Sequence, residues 1–388
     1  MTSINFEFMS VPKIVCSPGS AGTLAEHCRA LAITRPMLVT DKGLLATGIL
    51  KPVISKLEAE GLVPFVYSDI QADPPEHIVL SAKQAAVDAG TDGIIAVGGG
   101  SSLDVAKLIA ALVPGDQPLQ KMYGIDQIKQ KRLPLILVPT TAGTGSEVTP
   151  ISIITTGETT KSGVVSHQLL PDIALLDAEL TLGLPPSITA ATGIDAMVHA
   201  IEAFTSKKKK NPYSDMLAKE ALRLISSNLL TAVRQGNNVE ARSKVLLGAM
   251  LAGQAFANAP VAAVHALAYP LGGNYHIPHG LSNALVLPHV LRFNASDDWA
   301  IEQYAQLMTC VTTDNSCGDA QLDCAHFIEL VEALLIDVAI PRTLSALNIP
   351  ESDLPKLANE AMQQQRLLVN NPRYLSEADA LAIYQAAW

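Results

Sequence analysis

The strongest constraint on the fold is a change of rhythm near Gly183-Leu184-Pro185-Pro186. Before it, short aliphatic and β-branched runs alternate with amphipathic stretches. The runs Met37–Thr40, Val63–Tyr67, Gly93–Val97, Leu135–Val138 and Ile173–Leu176 read as strands. Leu50–Glu60, Ile78–Ala89 and Ser102–Leu112 read as the helices between them. Alternation of this kind predicts βαβ units and a mostly parallel sheet. Ile151–Thr155 and Gly163–Ser166 suggest a small extra hairpin. After Pro186 strand signals almost vanish. Ala190–Phe204, Asp215–Asn228, Ala241–Asn258, Ser282–Phe293, Trp299–Cys310, Ala325–Leu335 and Glu377–Ala387 read as helices broken by Pro, Asn and Gly loops. The boundary is placed over Leu182–Pro186. Residues 1–184 are expected to form an α/β domain, and residues 185–388 an all-α domain.

A chain of 388 residues is long enough for two domains. It carries 27 Lys and Arg against 37 Asp and Glu, a net charge of −10. Polyanion binding needs clustered cations, and the longest basic run is Lys207–Lys210, so no nucleic-acid partner is expected. That run lies in the loop Ser206–Pro212 and reads as a solvated charge patch. With 48% hydrophobic and 16% charged residues, the chain has the material for a core and is not a disordered sequence. The N-terminus, Met1-Thr-Ser-Ile-Asn-Phe-Glu-Phe8, lacks the basic and apolar regions of a signal peptide. The most apolar stretch, Ile94–Val113, is interrupted by Asp104, Lys107 and three glycines, so no membrane span is expected. The five cysteines (Cys16, Cys28, Cys310, Cys317, Cys324) form no CxxC pair, which favours a reduced, cytoplasmic setting.

Two loops suggest a phosphate-binding edge. Gly98-Gly99-Gly100-Ser101 follows an apolar strand and opens a helix. Glycines allow backbone N–H groups to approach an anion, and a helix N-terminus adds partial positive charge. The same residues also fit a capping box, Ser101-Ser-Leu-Asp104, which needs no ligand. Pro139-Thr140-Thr141-Ala142-Gly143-Thr144-Gly145-Ser146-Glu147 leaves a second apolar strand with hydroxyls and glycines able to meet phosphate or ribose oxygens. Open α/β sheets bind ligands along the edge where their strands end. Asp41 closes a third strand. It either turns the chain before Gly43 or accepts from ribose hydroxyls, and in the second case it favours NAD over NADP.

Four residues in the helical half have metal-ligand chemistry. Asp195 and His199 are spaced i, i+4 and share a helix face. His265 lies in the helical stretch Ala262–Leu267, and His279 in Ile277-Pro278-His279-Gly280. Three imidazoles with one carboxylate and no cysteine suit Fe(II), Zn(II) or similar ions. Asp195 and His199 alone would equally make a hydrogen-bonded helix pair. His276 is an alternative ligand. His27, His77 and His326 read as surface residues, His289 as structural, and His167 as a residue near ligand.

In order and spacing, these segments resemble the iron-containing (group III) alcohol dehydrogenases over almost the whole chain. The matching residues are Asp41, Gly98-Gly-Gly-Ser-x-x-Asp104-x-Ala-Lys107, Pro139 through Glu147, Gly193-Ile-Asp195-Ala-Met-Val-His199-Ala, His265, and Pro278-His279-Gly280. The resemblance implies a Rossmann-like NAD-binding domain, a helical metal-binding domain and an active site in the cleft between them. It maps the four metal ligands onto Asp195, His199, His265 and His279. It maps cofactor contacts onto Asp41, Asp73, Gly99, Gly100, Ser101, Asp104, Thr140, Thr141, Thr149, Lys161 and Leu180, and the loop reading adds Gly98 and Thr144. Phe256 is expected to border the substrate pocket. Many members carry a second His four residues after the first; here the segment reads His265-Ala-Leu-Ala-Tyr269. Tyr269 is therefore the candidate for a proton relay.

The implied reaction is reversible hydride transfer between an alcohol and nicotinamide, with the metal as Lewis acid. Phe256, Val261 and Leu267 suggest a small or medium aliphatic alcohol or aldehyde. A homo-oligomer, dimer or larger, is expected from the resemblance alone. The alternatives are a polyol or hydroxyacid dehydrogenase, a lyase resembling dehydroquinate synthase, a metal-free maleylacetate reductase, and a non-catalytic nucleotide-binding protein. The lyase needs cations near the metal motifs, and Gly193–Phe204 and Val264–Gly280 contain no Lys or Arg. The intact Asp/His set speaks against the metal-free reductase.

Overall fold

The computed structural model describes residues 5–157 and 160–388. The first four residues of the N-terminal stretch read above lie outside the described residues. The chain forms two compact units. One comprises Met9–Thr141 and Gly145–Leu182. The other comprises Gly183–Trp388, Ala142–Thr144 and the described residues up to Phe8.

Among its described residues the first unit has nine strands: β1 (Lys13–Cys16), β2 (Pro36–Asp41), β3 (Phe65–Ile70), β4 (Gly93–Gly98), β5 (Gly124–Ile125), β6 (Leu135–Pro139), β7 (Ile151–Thr156), β8 (Thr160–Val165) and β9 (Ile173–Leu176). Six of them form one sheet in the order β1-β9-β6-β4-β2-β3, and every pairing in it is parallel. The inner strands β4, β6 and β9 are buried at every residue, as a sheet covered on both faces requires. Successive side chains of a strand point to opposite faces. Met37, Val39, Ile94, Ala96, Leu135 and Leu137 join the core that includes Leu103, Ala106 and Ile109 of the Gly100–Leu112 helix. Leu38, Ile95, Val97, Ile136 and Val138 join the opposite core with Leu24, Leu50, Val53 and Leu57. β7 and β8 form the expected antiparallel hairpin, and β5 pairs with β8 to make a separate three-stranded sheet.

Three details depart from the sequence reading. β1 was not anticipated: it is a four-residue edge strand with little apolar patterning. β3 begins at Phe65 rather than Val63, because Pro64 has no N–H to give the ladder. The capping box at Ser101–Asp104 does not form. The helix starts at Gly100 after Gly99 with no side-chain cap, and the Asp104 carboxylate is bonded elsewhere.

The second unit contains no strand among its described residues. The Pro186–Phe204 helix starts with Pro at its first turn, where a missing N–H costs no hydrogen bond. It is apolar on nearly all sides and accordingly sits in the centre. It packs against Pro212–Arg234, Val239–Asn258 and His279–Asn294. Asn211, Asn238, Asp297 and Asp319 cap the helices that follow them, and Ser376 with Asp379 forms a true capping box before Glu377–Ala387. The Ala263–Tyr275 helix runs past the expected Leu267, through Pro270, to a left-handed cap at His276. The lysine run is solvated only in part. Lys210 turns inward to Asp215, 2.7 Å away, and lies over the Phe204 ring. No single helix among the described residues is long and apolar enough to cross a membrane; Ile94–Val113 divides into the end of a strand and a helix.

Candidate metal centre and nucleotide-binding loops

Three helices supply one cluster. Asp195 and His199 project from the Pro186–Phe204 helix, His265 from Ala263–Tyr275, and His279 is the first residue of His279–Asn294. One ligand atom from each of the four lies within 4.8 Å of the others. The rings of His199 and His265 stack at 4.8 Å, and those of His265 and His279 are 5.3 Å apart. The close approach of two of these helices depends on Gly280. A Cβ there would lie 2.3 Å from the Ala191 carbonyl oxygen and 3.2 Å from the Asp195 Cβ.

The protonation states suit a cation. Burial, reinforced by repulsion from His265 and His279 and outweighing attraction to Asp195, lowers the His199 pKa to about 3, so the ring is neutral. Burial works to raise the Asp195 carboxyl, but His199, His279, His265 and the Asn283 amide outweigh it and hold the group below its ordinary value. Metal ligands must be deprotonated, and Asp195 and His199 are held in that form. Asn283 Nδ2 donates to Asp195 Oδ1 at 2.6 Å and lies 3.3 Å from Nε2 of both His265 and His279. Asn283 Oδ1 and His199 Nδ1 are buried with no hydrogen-bond partner. Such atoms need a partner that the protein does not supply, a water or an ion. Three imidazoles, one carboxylate and two orphaned atoms fit a divalent transition metal.

Phe256 stacks on His199 with ring centroids 4.3 Å apart, and Tyr269 lies 5.9 Å from His279. Both are partly exposed. Of the other two apolar residues expected near substrate, Leu267 is wholly buried and Val261 nearly so, which places them in the core. His276 is an exposed helix cap outside the cluster. His77 is exposed and His289 half-buried, but His27 is buried against Thr23 rather than lying on the surface.

Two residues of the centre were not anticipated. Glu202 lies seven residues after Asp195, and Asn283 four after His279. Helical spacing from a known ligand was the available signal for both.

In the α/β unit, Asp41, Gly98 and the loop after Pro139 stand at the carboxyl ends of the adjacent strands β2, β4 and β6. Thr140 N–H donates to the Gly98 carbonyl, tying two of the loops together. A Cβ on Gly98 would lie 2.7 Å from Ser102, so a larger residue would push the helix start away. Gly99, Gly100, Ser101 and Thr141 follow at the same edge, with Thr141 beside Gly99. Asp41 caps the short helix after β2 through Leu44 N–H at 2.8 Å. Asp73 and Lys161 form an ion pair with each other. Thr144 belongs to the helical unit.

Other mapped positions are occupied inside the protein. Asp104 accepts from Ser146 Oγ at 2.6 Å and Ile153 N–H at 2.8 Å. Lys107, fully buried, donates to Thr149 Oγ1 and the Ile151 carbonyl and lies 3.6 Å from Asp104. Burial raises the neighbouring Glu147 carboxyl to about 7 and lowers Lys107 to about 8. The Leu180 side chain belongs to the core.

Comparison with known proteins agrees with this geometry. The iron-containing alcohol dehydrogenase family model matches residues 12–178, and the model of the C-terminal part of the Fe-containing alcohol dehydrogenase family matches residues 189–388. The chain is 42% identical to long-chain-alcohol dehydrogenase 1 of Geobacillus thermodenitrificans, covering 98% of each sequence. The crystal structure of a 1,3-propanediol oxidoreductase superimposes with a TM-score of 0.95 at 34% identity, covering 99% of this chain and 100% of that one. Sulfoacetaldehyde reductase from Bifidobacterium kashiwanohense, solved in complex with NAD+, gives a TM-score of 0.89 at 28% identity over 99% of both chains.

Proposed function

Since the chain belongs to the iron-containing alcohol dehydrogenase family, NAD-linked oxidoreductases of alcohols and aldehydes, we propose that it uses Fe(II) and NAD to interconvert a small or medium aliphatic alcohol and its aldehyde. The observation that carries the metal is the convergence of Asp195, His199, His265 and His279, with Asp195 ionised and His199 neutral. When bound, the cation supplies Lewis-acid polarisation of the alcohol or carbonyl oxygen. Phe256, stacked on His199, offers an apolar wall to the carbon chain and keeps water from that side. Tyr269, near His279, holds a hydroxyl through which the alcohol proton leaves. The Gly98–Ser101 and Thr140–Thr144 loops hold the pyrophosphate, and Asp41 accepts from the adenosine ribose and repels a 2′-phosphate. The relatives' names include a long-chain alcohol and 1,3-propanediol, and the second supports a small primary alcohol as substrate. We further propose that the working form is a homo-oligomer.

The test is elemental analysis of anaerobically purified protein joined to a panel of alcohols and aldehydes with both dinucleotides. Stoichiometric iron and NAD-linked turnover are expected. Full turnover after the metal is stripped would overturn the reading.

A further inference from the structure

The Pro186–Phe204 helix that carries Asp195 and His199 buries a further polar side chain, Glu202. Its carboxylate takes three donors. Oε2 accepts from Ala262 N–H at 2.9 Å and lies 2.6 Å from His265 Nδ1, and Oε1 accepts from Val264 N–H at 2.7 Å. Ala262 and Val264 stand at the start of the Ala263–Tyr275 helix, which has no cap of its own. Glu202 therefore caps that helix from another one. Its negative charge also meets the positive end of the helix dipole. The same carboxylate can only accept from His265 Nδ1, so the ring proton is on Nδ1. Nε2 is left unprotonated on the opposite side, facing Asn283 Nδ2 at 3.3 Å among the other ligands.

We propose that Glu202 is a positioning residue for the metal centre: it locks His265 in the Nδ1–H tautomer and fixes the backbone that carries it. This rests on reading the four side chains as a metal centre. A carboxylate behind a metal-bound imidazole sets ring orientation and raises ligand basicity. Here it does more, because the clamp joins the helix bearing Asp195 and His199 to the one bearing His265.

Glu202→Gln separates this role from simple packing. The amide keeps the size of the carboxylate but has one donor end. Turned toward His265, that end faces Nδ1 and drives the proton to Nε2, the ligating side. Turned the other way, it faces a backbone N–H. Zn(II) affinity, measured by competition with a chromophoric chelator on the full-length chain, should weaken by ~10–100-fold in E202Q with the circular dichroism spectrum retained. An unchanged dissociation constant would overturn the proposal while leaving the metal centre intact. Failure of the unaltered protein to bind Zn(II) or Fe(II) would overturn the metal-centre reading as well. If E202Q does not fold, nitrogen-15 histidine spectra of the Zn(II)-loaded unaltered chain decide. A proton on His265 Nδ1 supports the lock, and metal on Nδ1 refutes it.

Discussion

Two buried clusters of charged and polar side chains, one in each unit, behave in opposite ways. In the α/β unit, Asp104, Lys107, Thr149 and Ser146 answer one another, so that the Asp104 carboxylate and Lys107 ammonium both find partners inside the protein. In the helical unit, Asp195, His199, His265 and His279 converge, yet His199 Nδ1 and the nearby Asn283 Oδ1 have no partner. Most members of both clusters are buried. What differs is whether the hydrogen-bond inventory closes. A closed inventory is a brace for loops; an open one is a site for something that is not protein.

The comparison can be broken from either side. His279→Ala should abolish metal retention and lower turnover by ~10³-fold, the several kcal/mol that a Lewis acid contributes. Elemental analysis and steady-state rates check this, and retained metal with full activity would break the contrast. Lys107→Met should leave the metal content unchanged but destabilise the protein by about 3–5 kcal/mol, as expected when a buried charge loses its partner. Denaturant unfolding measures it. Tyr269→Phe should lower kcat by ~10²-fold, the low end for a positioned proton carrier, and shift the pH–rate profile. Asp41→Gly should raise kcat/KM with NADP by ~10-fold, because a like-charge contact is removed. Its effect on stability should be only a few tenths of a kcal/mol, since Gly is a tolerable helix cap.

A last effect concerns pH. Glu147 has its carboxyl raised to about 7, chiefly by burial, against an ordinary 4.5. Between these values the folded chain keeps a proton that the unfolded chain has released. Its contribution to stability is therefore full below about 4.5 and is lost as pH climbs through about 7. Glu147→Gln should flatten the decline in Tm across that window.

The sheet was legible because strands covered on both faces read as short continuous apolar runs, as in Met37–Thr40, Gly93–Val97 and Leu135–Val138, and each run lies within two residues of its strand's ends. Pro64 moved β3, and β1 was too short to show. The pair Asp195 and His199 was legible from helical spacing, whereas His265 and His279 sit on other helices, and their convergence is tertiary information that spacing does not hold. Asp104 shows how a local reading fails. Ser101-Ser-Leu-Asp104 has the letters of a capping box, but the carboxylate gains more from Ser146 and Ile153 across the fold than from its own helix start. Glu202 and Asn283 carry no ligand signature in the sequence, because they hold the side chains that grip an ion and do not grip it themselves. For Glu202, a second acid beside Asp195 on an otherwise apolar helix was the available clue.

Gly280 carries a consequence for how such a chain can change. Main chain rests on main chain where residue 280 meets Ala191, so the gap between the helices of Asp195 and His279 is governed by peptide bonds, not by the bulk of neighbouring apolar groups. Surrounding residues such as Phe256 can then be exchanged to reshape what the pocket accepts while the cage keeps its width. Gly280→Ala, a single added methyl, would wedge that cage open.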